Sequence, residues 1–410
     1  MDNHPIDSKK TINKTAYLDG IRGTAAFLVL LHHFLLAFYP AFYTGAMDAS
    51  NSGGRDVRYG QSILSFLTNG NYCVCIFYVL SGFVLSRKYF GSRRMEEVIS
   101  GAHRRFLRLY IPVAFTLILA CGMMKARLFL NGPVSVFTHS EWWLGAMWRF
   151  PHPVAKLWDC LKFGAMFLGD SSFDTSLSTM TPEFFGSLFV FAFLAFTHHT
   201  RRKALSLSLV FIFCKLTSQP ILACFVFGIS LNFFEQGASL FNKGTKTGLV
   251  LVLLPLSLVL GSYPTTGNIS GTIFTHAGHF IMRWGNWFHA IGAFFFILCF
   301  VLSKRLQQFF SSGVFRFLGS ISFSIYLLHP LVIGSLGCFV FLKMREHAGF
   351  NQTVMYAFIV TVAACFFLSW LMAKYIDAKG MRLSKYVYIR FFKKAAAQEL
   401  TPEKGVSPAA

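Results

Sequence analysis

The residues best suited to chemistry lie in the first apolar run. Tyr17-Leu18-Asp19-Gly20-Ile21-Arg22-Gly23 leads through Thr24 and Phe27 to His32-His33-Phe34. An Arg or Asp at the centre of a membrane span costs about 2.5–3.5 kcal/mol, so a helix that carries such groups has a use for them. Arg22 and His33 are eleven residues apart. At about 100° per residue, three turns return them to nearly the same face, with Asp19 about 40° off that stripe and His32 about 80° away. A rise of about 1.5 Å per residue sets the cation near one surface and the imidazole roughly 16 Å deeper. Imidazole titrates near working pH, which suits His33 as a general base toward an acceptor hydroxyl. The competing structural reading is a packing histidine on a backbone partner, with Arg22 snorkelling to the surface.

Three further groups combine reactive types. In His103-Arg104-Arg105-Phe106-Leu107-Arg108, the pair Arg105 and Arg108 shares one helix face at the mouth of the third apolar run. Guanidinium groups bind phosphates bidentately, so two of them near Arg22 suit a pyrophosphate. Thr181-Pro182-Glu183-Phe184-Phe185-Gly186-Ser187 puts a carboxylate in a first helical turn. The helix dipole favours it there, and it is also placed to orient a histidine or an acceptor hydroxyl. Gly319-Ser320-Ile321-Ser322-Phe323-Ser324-Ile325-Tyr326-Leu327-Leu328-His329-Pro330 gathers hydroxyls, a tyrosine and a membrane histidine before a kink-forming proline. Asp377, past the last apolar run, reads as a solvated charge or a partner to a base.

The elements that position these groups are membrane helices. The chain has 410 residues, 54% hydrophobic and 13% charged. Its mean hydropathy of +0.52 is too apolar for a soluble domain. Runs near 20 residues without apolar/polar alternation point to an all-α, polytopic integral membrane protein rather than a barrel. Ten spans are expected, near 22–42, 72–90, 106–124, 182–199, 204–217, 219–235, 247–263, 288–303, 320–342 and 354–375. The net charge of +21 does not indicate nucleic acid, because the bases cluster between apolar runs. With both termini cytoplasmic, that clustering follows the positive-inside rule in every loop pair but the one at Lys343 and Arg345.

The expected organisation is a cytoplasmic segment 1–16, a membrane domain 17–390 and a disordered cytoplasmic tail 391–410. The membrane domain carries an outer loop at about 125–181, rich in Trp and His. Residues 157–168 of that loop suit an interfacial helix. The polar leader shows no cleavage site, so the first span is expected to act as an uncleaved anchor. Sequons at Asn268 and Asn351 fall in outer loops and one at Asn13 falls inside. Nine cysteines follow no metal-ligand spacing, and no metal site is expected.

Tyr17 to Phe34, Arg105-x-x-Arg108, Thr181 to Ser187, Ser322 to Pro330 and the ending Tyr375-Ile376-Asp377 with Leu383-Ser384 together resemble the acyltransferase-3 family of integral-membrane acyltransferases, in its fungal form. The resemblance implies transfer of an acyl group, commonly acetyl, from cytoplasmic acyl-coenzyme A to a hydroxyl of a small metabolite, lipid or glycan. It places the family's essential histidine on His33, its arginines on Arg22, Arg105 and Arg108, and its acidic position on Glu183. Asp19 joins the catalytic candidates, and His32, Tyr326 and His329 are further ones. Met180-Thr181 departs from the aromatic that commonly precedes the Pro-x-Glu segment, and Phe323 stands where Tyr is usual. Acyl-coenzyme A is expected as co-substrate with no permanently bound cofactor. The other partners are the bilayer and the acceptor, and a fungal endomembrane is the expected location. The rival readings are a small-metabolite or anion transporter and a non-catalytic scaffold.

Overall fold

The computed structural model describes residues 15–266, 268–275 and 284–393. No strand occurs among them, in agreement with the expected all-α class. The long helices are α1 (Ala16–Phe38), α2 (Gly70–Ser92), α3 (Met95–Lys125), α4 (Met180–Phe196), α5 (Lys203–Leu216), α6 (Pro220–Gly237), α7 (Lys243–Gly261) and α8 (Gly285–Leu302). A short α9 (Lys304–Phe310) follows, then α10 (Gly313–Met344) and α11 (Phe350–Phe392). Most of the predicted leader 1–16, with its Asn13 sequon, lies outside the described residues, as does the tail from 394. Residues 391–393 still belong to the last helix, so the tail does not begin at 391.

The span count needs one correction. Among the described residues, eight helices are long and apolar enough to cross a membrane, or nine if α8 and α9 form one span bent by 100°. The predicted span 204–217 is α5, whose 14 residues cover only about 21 Å of a hydrocarbon core about 30 Å thick. It forms a hairpin with α6 through a turn in which Ser218 takes a φ of 53°. Lys215, beside that turn, rests its ammonium 3.1 Å from the centre of the Trp284 ring, next to the start of α8.

Cross-links between helix ends define two faces. Asp19 at the start of α1, Arg316 at the start of α10 and Asp377 of α11 line one cavity, so these ends share a face, here the arginine face. On the opposite, loop face, the Tyr39 hydroxyl just past α1 donates to Asn351 Oδ1 of α11 at 2.7 Å. There Asn69 before α2 also donates to the Tyr263 carbonyl after α7 at 2.8 Å.

The helices that carry the candidate residues touch backbone to backbone. A Cβ on Gly23 of α1 would fall 2.4 Å from the Gly319 amide nitrogen of α10, and one on Gly319 would fall 2.5 Å from the Asp19 carbonyl. Small residues allow this approach, and in lipid close packing is what joins helices. Gly82 of α2 and Gly228 of α6 do the same for their pair, with a Cβ on Gly228 2.3 Å from the Val79 carbonyl. Helix α10 runs through Pro330 and then loosens into a π turn at Ile333–Gly337. Proline supplies no N–H, and a π turn is one way a helix absorbs that loss.

The connection between α3 and α4 folds over the loop face. It holds helices Asn131–Thr138 and Pro153–Asp159, the second continuing as Cys160–Leu168, where the sequence predicts the 157–168 helix. Lys156 and Asp170 pair at 2.5 Å across it. Burial opposes the Asp170 carboxylate, but hydrogen bonds from Lys156 and Ser172 outweigh that and hold its pKa at about 2.

Candidate active site

A cavity of about 510 Å³ opens among α1, α2, α3, α4, α10 and α11. Arg22, Arg105, Arg108 and Arg316 contribute guanidinium groups to its wall, and Asp19, Glu183 and Asp377 contribute carboxylates. The sequence-predicted donor-binding residues Arg22, Arg105 and Arg108 therefore meet in one place. Asp377 belongs to the cavity wall rather than to a solvated tail. Arg22 bonds Asp19 at 3.1 Å one helical turn away, and both remain partly exposed. Arg108 and Arg316 make no ion pair among the described residues.

Arg105 and Glu183 lie deeper. Their side chains are 8% and 13% exposed, and they form an ion pair with each other. Glu183 also accepts from Ser81 Oγ. Arg105 Nε donates at 2.7 Å to Ser187 Oγ, which in turn donates at 2.5 Å to the Glu183 carbonyl. Each charge is thus both paired and hydrogen-bonded, the arrangement a buried ion pair requires. Among the described residues Glu183 meets no histidine; its partners are the arginine and two serines.

The histidines form a second cluster toward the loop face. His33 Nδ1 lies 2.7 Å from His329 Nε2. The two rings are nearly parallel, 17° apart in plane with centres at 4.9 Å. The Trp143 indole covers His33 at 5.2 Å and 10°. Trp143 reaches that position because its loop is tied to α1, where Ser140 Oγ donates to the Leu36 carbonyl at 2.6 Å. His32 turns elsewhere: its Nδ1 donates to the Thr68 carbonyl at 2.6 Å, and it lines a small polar cavity of about 40 Å³ on the loop face.

Tyr326 and Thr179 stand between the two clusters. Both line the deep end of the large cavity, whereas His33 and His329 do not. The Thr179 hydroxyl donates to the Ser176 carbonyl at 2.8 Å, so in its 2.8 Å bond with Tyr326 it accepts and the phenol donates. Beyond that bond the Tyr326 ring is 6.0 Å from His329. The cavity and the histidines are therefore separated by one hydrogen-bonded pair of side chains.

Sequence reasoning overlooked Ser81, Ser187, Thr179, Trp143 and Arg316. Ser81 carried a signal, being a hydroxyl in the middle of an apolar run. Trp143 carried none, because nothing local ties a loop tryptophan to a histidine more than a hundred positions earlier.

Two curated relatives align along most of the chain. O-acetyltransferase PaAT-1 of Phomopsis amygdali is 23% identical, with 94% of this chain and 86% of that protein covered. Acyltransferase clz18 of Cochliobolus lunatus is 22% identical, with 89% and 92% covered. No solved structure matches. The sequence profile of the acyltransferase-3 family, described as an acyltransferase domain, matches residues 15–374, and the chain belongs to that family.

Proposed function

We propose that this protein transfers an acyl group, acetyl as the first candidate, from acyl-coenzyme A to a hydroxyl acceptor, with the arginine face cytoplasmic. The observation that carries the reading is the cavity walled by four guanidinium groups, whose deep end at Tyr326 lies one ring from the His329–His33 pair. Arg108 and Arg316, which make no ion pair among the described residues, hold donor phosphates together with Arg22. Arg105 is balanced by Glu183 and shapes the wall between the phosphates and the thioester.

The thioester passes Tyr326, and His33 acts as general base. Its free ring nitrogen takes the proton of the acceptor hydroxyl as the oxygen attacks the thioester carbonyl. The carbon–sulfur bond then breaks, and the departing thiolate recovers the proton from His33. Chemistry of this type gains about 10²–10⁴-fold from a well-placed base. The Tyr326 hydroxyl is the group available to polarise the carbonyl once it leaves Thr179. Membership of an acyltransferase family favours transfer over the transport reading.

The test uses the purified full chain in detergent or nanodiscs with acetyl-coenzyme A labelled in the acetyl group. Slow release of free thiol, with water as acceptor, is expected from the parent protein. His33→Ala should abolish it while keeping yield and monodispersity. Thiol release that survives the loss of His33 would remove this mechanism.

A further inference from the structure

We infer that His329 is a positioning residue for His33, fixing which of its ring nitrogens accepts a proton. This rests on the proposed role of His33 and adds a residue to it. His329 Nδ1 lies 2.9 Å from the Ile325 carbonyl oxygen, which can only accept. The neighbouring Tyr326 carbonyl has no helical donor four positions on, because that residue is Pro330 and has no N–H.

With its proton on Nδ1, the neutral His329 ring presents a lone pair at Nε2. His33 Nδ1, 2.7 Å away, must then carry the hydrogen of that contact. The lone pair of His33 is left on Nε2, and Nε2 is the atom that takes the acceptor's proton. When it does so, His33 becomes a cation whose Nδ1–H still points at a lone pair, and the chain of bonds to the Ile325 carbonyl is kept. An orienting acceptor behind a catalytic imidazole is ordinarily a carboxylate. Here a second imidazole takes that place and buries no additional charge. The face of Trp143, parallel to His33, is placed to favour the same cation.

The experiment compares His329→Ala, His329→Gln and His329→Asn in the full chain, with acetyl-coenzyme A hydrolysis as the readout. Ala should lower kcat by about 10²-fold or more and leave the KM for acetyl-coenzyme A within about twofold, because His329 lies outside the donor cavity. Gln places an amide oxygen near the former Nε2 and should recover at least about tenfold of that loss. Asn is too short to do so and should not. If the Ala variant does not fold, the Gln-to-Asn ratio carries the test. Gln and Asn of equal activity, or a parent-like Ala variant, would each overturn the inference. Full activity of His33→Ala would instead overturn the general-base reading on which it rests.

Discussion

Gly23 of α1 packs against Gly319 of α10 ten residues before His33 and ten residues before His329. The two helices start at the same face and run parallel, so one close contact sets the register of the other, about 15 Å along the axis. Gly23→Ala should therefore damage both stability and transfer. The new methyl meets backbone atoms at 2.4 Å, which cannot swing aside as a flexible side chain would. A cost of about 1–3 kcal/mol is expected for such overpacking. Thermal unfolding followed by size-exclusion chromatography should show a lower midpoint, and acetyl-coenzyme A hydrolysis should fall further than the lost folded fraction accounts for. An unchanged midpoint would mean that the helices are not held by this contact.

Arg105 and Glu183 should behave as one unit. Removing one partner of a buried ion pair leaves an uncompensated charge, at a cost of about 3–5 kcal/mol. Arg105→Ala and Glu183→Ala should each be strongly destabilised, and the double variant should be more stable than either. Activity should not return with stability, since the guanidinium is lost from the donor cavity. Additive destabilisation in the cycle would show that the two charges do not depend on each other.

Much of this was legible from the chain because helical periodicity is a local property. The Arg22–His33 stripe, the Arg105–Arg108 face and the helical position of Glu183 all follow from about 100° per residue. What periodicity cannot supply is the partner on another helix. Glu183 was expected to orient a histidine or an acceptor hydroxyl, and its carboxylate pairs with Arg105, because α4 enters the bundle beside α3. Asp377 read as a solvated charge or a partner to a base because it follows the last apolar run, and α11 continues past it and holds it in the cavity wall beside the guanidinium groups. Hydropathy likewise found α5 at its observed length, but its 14 residues are too few for the span they were counted as, because they adjoin an apolar neighbour after a short turn.

Tyr326→Phe should separate passage from binding. The phenol donates to Thr179 across the deep end of the cavity, and the variant loses that bond while keeping the ring. Donor affinity, set by guanidinium groups farther out, should be unchanged in a filtration assay with labelled coenzyme A. Turnover should fall about 10²–10³-fold if the hydroxyl polarises the thioester carbonyl. Faster turnover would instead assign Tyr326 the role of a barrier alone.

Asp174 predicts a pH dependence. It is 1% exposed, and its Oδ1 accepts from the Ser176 amide and hydroxyl, while Oδ2 has no hydrogen-bond partner among the described residues. Burial, only partly offset by those bonds, raises its pKa to about 7. The unfolded carboxyl releases its proton near pH 4. The folded chain thus retains a proton that the unfolded chain has lost, so this group's contribution to stability is full below about pH 4 and fades as pH rises through 7. Asp174→Asn keeps the Oδ1 acceptor and removes the titration. Its unfolding midpoint should change less than that of the parent between pH 5 and 8 on a common buffer series. Equal slopes would show that Asp174 does not titrate in this range.

The orientation of the two faces can be tested through the sequons. Asn268 is exposed on the loop face close to Gly45, on the side opposite the arginine cavity. Asn351 is the second residue of α11, and the Thr353 of its sequon is buried within that helix, whereas Asn268 lies outside any helix. Asn268 is therefore the position expected to carry a glycan if the arginine face is cytoplasmic. A glycosidase-sensitive shift in gel mobility should vanish in Asn268→Gln and persist in Asn351→Gln. A cysteine placed at Lys379, exposed on α11 beyond Asp377, should react with an impermeant thiol reagent only from the cytosolic side of sealed vesicles. Reaction from the lumenal side would put the arginine cavity away from the cytosolic pool of acyl-coenzyme A, and the proposed direction of transfer would be wrong.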